Sequence, residues 1–307
     1  MSIYSRSSCD PGTFPNQAAS APFPTRRRVS PKRLPGLLEF EPNKPMDPSF
    51  QAIGISFPNE RAFNEFAADV ERRGEPTHLR RDDGVLHGRC LKFGKGLEVW
   101  TVHYESKPGE LIYTDCRPAF RARKMQCIRP WILCESSIEG VAIVHGFIED
   151  AETEVLFEVQ NLTEIGMSEL RRNSLHVRLC GLAHAAEIGE SPVEALWISK
   201  DEASLNIGGQ HEIWTLAGNI VAFEAIRNPV SGTELFWLIV AIGDFRLELI
   251  VNSETLSGTR IGIGKSIRAG IWLQGHIETA DAGRRGYEGV DRFTPAKEHW
   301  RGLRRPN

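Results

Sequence analysis

From Leu97 to Ile277 the chain is written in short runs of Val, Ile, Leu, Phe, Tyr and Trp broken by Gly, Pro or charge, and this recurrence most limits its fold. Such side chains fit a pleated, half-buried surface, and the runs are too short for ordinary helices. The first series is Leu97 to Tyr104, Leu111 to Tyr113, Trp131 to Cys134, Gly140 to Ile148 and Thr153 to Val159. Residues 174–181 then alternate, with Leu175, Val177 and Leu179 on one side and His176, Arg178 and Cys180 on the other. This pattern predicts a strand with one wet face. The second series is Glu212 to Leu216, Val221 to Arg227, Leu235 to Ile242, Phe245 to Val251 and Ser266 to Ile277, with Gly243-Asp244 as a hairpin turn. Many short strands joined by Gly-rich turns belong to sandwiches and barrels.

Ahead of these runs, Ala52-Ile-Gly-Ile55 reads as a short apolar strand, and Asn59 opens the clearest helix. Ala62, Phe63, Phe66, Ala67 and Val70 recur at helical spacing, Asn59 can cap the first free N–H groups, and Gly74 with Pro76 stops the run. The expected fold is therefore mainly β with an N-terminal helix (α+β), as two packed β-barrel or sandwich-like units, the second OB-like in one reading. The boundaries are a basic Pro-rich tail over 1–45, a helix plus β unit over 46–190, a second β unit over 191–278, and a basic C-terminal tail over 279–307. Eight prolines and no apolar period leave residues 1–45 unable to bury enough surface to offset their ordering entropy. Met46 stands where order begins, which suggests it as the initiator in place of Met1.

Charge is unevenly placed. Residues 1–45 hold seven Lys or Arg against three acids, and 278–307 seven against five, so a chain of net charge −3 has an acidic middle. An acidic core opposes phosphate contact, which makes nucleic acid an improbable partner for it. No run approaches the length of a membrane-spanning helix. The start lacks the apolar core of a signal peptide. A cytoplasmic setting is expected, with the six cysteines reduced and structural, since none forms a C-x-x-C pair.

Several motifs point to chemistry and lack its context. Gly262-Ile-Gly-Lys-Ser266 resembles the end of a phosphate loop, but the required Gly six residues before Lys265 is Thr259, and a strand follows where a helix should. No two histidines stand at ligand spacing, and His103 with Glu105 is the nearest approach, on one strand face. No metal and no cofactor is therefore expected. Glu149, Asp150, Glu152 and Glu154 fit a charged hairpin turn. Glu98, Glu105 and Glu110 could pair across strands as acid and base only if folding brings them together. No nucleophile elbow or activated cysteine is present.

Six of the seven tryptophans, Trp100, Trp131, Trp197, Trp214, Trp237 and Trp272, are associated with the β regions, where large rings fill cores or offer stacking platforms. Trp100, Trp272 and Gln274 are the candidate ligand contacts. Ala52-Ile-Gly-Ile55 with the helix, Gly96-Leu-Glu-Val99, Phe157-Glu-Val-Gln-Asn161, Ile250-Val-Asn-Ser-Glu-Thr-Leu-Ser-Gly258 and Gly270-Ile-Trp-Leu-Gln-Gly275 together resemble a bacterial family of unknown function common in clostridial genomes. The resemblance spans about residues 50–278 and implies no activity, so it carries over no catalytic residue. The leading expectation is a non-enzymatic binding or interaction module, with a protein as one candidate partner. The alternatives are a hydrolase-like enzyme acting on a carbohydrate or nucleotide through carboxylates and histidines, and a single-stranded nucleic-acid binder using an OB-like unit.

Overall fold

The computed structural model describes residues 48–279 except 82–83, 108, 136–139, 166, 171 and 200–212. Both tails and the choice between Met1 and Met46 lie outside the described residues. Helix α1 spans Pro48–Ala52 and α2 spans Glu60–Arg73. The helix expected at Asn59 is present with its caps: the Asn59 carboxamide accepts the Ala62 N–H at 3.0 Å, and the Gly74 N–H donates to the Val70 carbonyl at 2.7 Å. The run from Ala52 to Ile55 is not the expected strand. Ala52 ends α1 and the chain turns through Gly54 at φ +75°, placing Ile53 and Ile55 in the core. A short apolar run reports burial and cannot by itself choose between strand and turn.

The chain next forms an antiparallel meander, β1 (Glu75–Arg81), β2 (Gly84–Gly94), β3 (Leu97–Lys107) and β4 (Glu110–Phe120). Leu91, Leu97, Val99 and Cys116 join the phenylalanines of α1 and α2 in one buried cluster. Leu86, Val102 and Tyr104, facing the other way, enter the main core.

The remaining strands are β5 (Gln126–Glu135), β6 (Ala142–Ile148), β7 (Thr153–Val159), β8 (Leu175–Gly189), β9 (Leu196–Ser199), β10 (Ile213–Arg227), β11 (Glu234–Ile242), β12 (Phe245–Asn252), β13 (Leu256–Gly258) and β14 (Ser266–Glu278). They form one sheet that closes on itself twice. One ring runs β8, β12, β11, β10, β14 and back to β8; the other runs β8, β5, β6, β7, β14 and back to β8. The barrel-like β architecture expected from sequence is present as one sheet whose two rings share the ladder of β8 and β14, with the meander as a second sheet. Along its outer edge β8 meets β5 at 175–177, β12 at 180–183 and β13 at 186–188, so each stretch serves a different partner. The soft boundary near residue 190 therefore falls at the end of a shared strand, within one compact unit. The middle of β8 is buried on both faces, Val177 and Leu179 in the main core and Cys180 and Leu182 in the cluster under α1: His176 is exposed as expected, but Arg178 and Cys180 are enclosed. No helix among the described residues is long and apolar enough to cross a membrane.

Candidate functional site

Trp100, Trp272 and Gln274 are all buried, where β4 meets β7 and β14. Trp100 donates its indole N–H to Glu98 at 3.1 Å. Gln274 donates to the Pro118 carbonyl at 3.0 Å, and Gln160 donates to the Phe120 carbonyl at 3.1 Å and to the Gln274 side-chain oxygen at 2.8 Å. These amides cap the carbonyls of β4 where no neighbouring strand can, since a buried backbone acceptor must find a donor.

Charged groups share the same interior. Arg117 bonds Glu158 and Asp115, each at 3.0 Å, and Arg121 lies 3.1 Å from Glu98. Arg178 bonds Glu278 at 2.7 Å, and Asn161 bridges the Ile277 backbone, with its amide also 3.2 Å from the His276 ring. Five carboxylates, Glu98, Asp115, Glu158, Glu164 and Glu278, surround three guanidiniums. Burial pushes the Glu158 carboxyl up to about 7, against the opposing pull of Arg117. Burial likewise raises Glu98, with Arg121 pulling it down. Such displaced carboxyls suit acid–base chemistry when a substrate can reach them. Here Arg117, Glu158, Gln160 and Gln274 are all buried, so the network joins the meander to the double ring.

A pH dependence follows. Glu158 holds its proton more tightly when folded (about 7) than at its ordinary value of 4.5. Its contribution to stability is complete below 4.5 and is lost as pH rises toward 7. Between pH 5.5 and 8 the native protein should lose about 2 kcal/mol relative to Glu158→Gln, measured by urea unfolding at each pH. Parallel pH profiles for the two proteins would contradict this.

The other sequence candidates separate. Glu98 is buried, whereas Glu105 and Glu110 lie near the outer end of the β3–β4 hairpin, so the three do not meet. Lys265 ends the turn before β14 and lies 3.2 Å from Glu190, consistent with a turn residue. Of the acidic group, Glu149, Asp150 and Glu152 form the β6–β7 turn and Glu154 lies in β7. Cys90, Cys116 and Cys180 are buried, and burial raises Cys90 and Cys180 far above the reactive range.

The accessible aromatic surface lies elsewhere. Trp131 sits at a bulge between Pro130 and Ile132 of β5 and is 68% exposed. Its ring lies 5.5 Å from His145 and stacks with Phe147 at 6.2 Å. The register aligns Arg129, Phe147 and Glu154 across β5, β6 and β7. The Arg129 guanidinium lies 5.8 Å from the Phe147 ring and bonds Glu152 at 2.7 Å, while His145 bonds Glu154. Arg129, Pro130, Trp131 and Phe147 line a shallow cavity of about 390 Å³. On the far side of β7, the indole N–H groups of Trp197 and Trp214 donate to the Glu154 and Leu156 carbonyls at 3.0 and 2.9 Å, closing that edge. Composition alone could not separate Trp131 from the core tryptophans, because the bulge is what turns it outward. Comparison with protein-family models, curated proteins and solved structures finds no match for this chain.

Proposed function

We propose that the protein is a non-enzymatic interaction module in a cytoplasmic setting, and that the platform of Trp131, His145 and Phe147 receives an extended, proline-containing basic segment of a partner protein. The observation that carries this reading is the exposure of a large indole on an aromatic neighbour, since exposed clustered aromatics mark binding surfaces. Shape favours an extended ligand: the cavity is shallow, and proline-rich segments seat on aromatic ridges with little ordering cost. Charge favours a basic one. Glu152 and Glu154 engage Arg129 and His145 of the platform, and Glu149 and Asp150 continue the acidic turn beside them. That acidic turn repels phosphate, which weighs against nucleic acid at this face.

Fluorescence polarisation with a labelled Arg-containing proline-rich peptide, an oligosaccharide and a single-stranded oligonucleotide tests the proposal. The peptide is expected to bind saturably. Trp131→Ala should weaken it by about thirtyfold, the loss of a buried aromatic anchor worth about 2 kcal/mol. The midpoint of thermal unfolding should move by less than about 2 °C, because the ring contributes little to the fold. Binding of the sugar or the oligonucleotide in place of the peptide would overturn the assignment, as would peptide binding that survives the substitution.

A further inference from the structure

The face of the meander on which α2 packs carries, near the end of that helix, a second constellation that only strand register brings together. His78 pairs with His87 across β1 and β2, His87 pairs with His103 across β2 and β3, and His103 pairs with Tyr113 across β3 and β4. Directly opposed residues share a face with Cβ atoms about 5 Å apart. The row therefore crosses all four strands on one side. Glu105, two residues beyond His103 on that face, places a carboxylate oxygen 2.8 Å from His87 Nε2. From the end of α2, Glu71 bonds the Thr101 hydroxyl and lies 3.4 Å from His103 Nδ1. His87, His103 and Glu105 thus occupy three corners of a triangle: a direct cross-strand pair, a same-strand neighbour and a diagonal.

We propose that this triangle is a binding site for a divalent transition metal ion, with His87, His103 and Glu105 as ligands and Glu71 as the residue that orients His103. Two imidazoles and a carboxylate are the donor set zinc accepts when a fourth position is left to water. The distances fit. His87 Nε2 and the Glu105 oxygen already stand 2.8 Å apart, and a tetrahedral ion with bonds of about 2.1 Å to each would separate them by about 3.4 Å. Insertion needs an opening of about 0.6 Å, and the proton between the two groups passes to His87 Nδ1 or to solvent. Glu105 is steadied for this role, its other carboxylate oxygen accepting the Gly109 N–H at 2.7 Å. Glu71 beside Nδ1 favours the tautomer whose Nε2 lone pair points away from the helix, as outer-shell carboxylates do for metal-bound histidines. Among the described residues no three donors yet converge on one point. Closure therefore falls to rotation of His103 and Glu105, whose side chains are 20% and 23% exposed. By register, Arg89 stands opposite Thr101 and Arg80 opposite Val85, on either side of the triangle.

Calorimetric titration of the chelator-treated full chain with zinc chloride tests the site, with His87→Gln/His103→Gln/Glu105→Gln as reference. The native chain is expected to bind one ion more than the reference. Glu71→Gln should retain that ion with about tenfold weaker affinity. Cobalt substitution should give a visible spectrum without the thiolate charge-transfer band that cysteine ligation produces. Trp131→Ala should leave all of this unchanged, which separates the site from the peptide platform. Equal stoichiometry in native and reference chains, or a thiolate spectrum, would overturn the proposal.

Discussion

Trp272→Ala is expected to lower the free energy of unfolding by about 3–5 kcal/mol, among the largest losses from any single truncation in the chain. The ring is fully buried among Leu182, Trp237 and Ile250, in the cluster that seats α1 and α2 on the double ring. Its strand, β14, belongs to both rings, so a cavity there loosens the ladder on which each depends. The indole also stabilises the ionised Glu158 carboxyl by hydrogen bonding, so the truncation removes a polar partner as well as packing. Trp272→Phe should separate the two contributions: retaining most of the ring and losing the donor, it should cost about 1–2 kcal/mol. Thermal unfolding should show Trp272→Ala melting roughly 10 °C below the native chain. A change below about 1 kcal/mol would show that the ring does not hold the layers together.

The same strand shows how far residue patterns reach. Strongly apolar runs such as Leu235 to Ile242 and Phe245 to Val251 become β11 and β12 nearly residue for residue, because their burial on both faces leaves few alternatives. Helix α2 was equally legible, since its caps are local chemistry at Asn59 and Gly74. By contrast β1 and β2 left no apolar signature. Their sequences, Glu-Pro-Thr-His-Leu-Arg-Arg and Gly-Val-Leu-His-Gly-Arg-Cys-Leu-Lys-Phe-Gly, bury little on the outward face and depend on β3 to become strands. The shared ladder was invisible because ring closure is a long-range pairing, in which β8 meets β14 across roughly ninety residues.

The candidate sites follow the same rule. Trp100, Trp272 and Gln274 stood out as large or polar residues within strong strands, and strong strands are those whose faces are covered. Trp131 opens a shorter run directly after Pro130, and the bulge between Pro130 and Ile132 gives it to solvent. The imidazole row could not be read at all. His78, His87 and His103 have no ligand spacing in the chain and meet only through the registers of two hairpins. His103 and Glu105 were visible as one strand's contribution, and the partner they lacked was on the next strand.

Arg117 carries the second large expectation. Its guanidinium is 2% exposed, holds Glu158 and Asp115 at 3.0 Å, and donates to the Gly140 and Gln160 carbonyls at 3.2 and 3.4 Å. Arg117→Met keeps much of the volume and removes the cation, leaving Glu158 buried without its main counter-charge. Breaking a buried pair from one side costs about 3–5 kcal/mol, because the remaining charge cannot be solvated. The loss should therefore depend on pH. Where Glu158 is protonated no charge is stranded, so urea unfolding should show a smaller penalty at pH 5.5 than at pH 8. Arg117→Met/Glu158→Gln should recover part of the loss at pH 8, and the double-mutant cycle gives the coupling directly. Additive single-site losses, or a penalty independent of pH, would mean that the arginine acts through its two carbonyl contacts and not through the carboxylate. In that case the network would owe its stability to backbone capping, the role that Gln160 and Gln274 already play on β4.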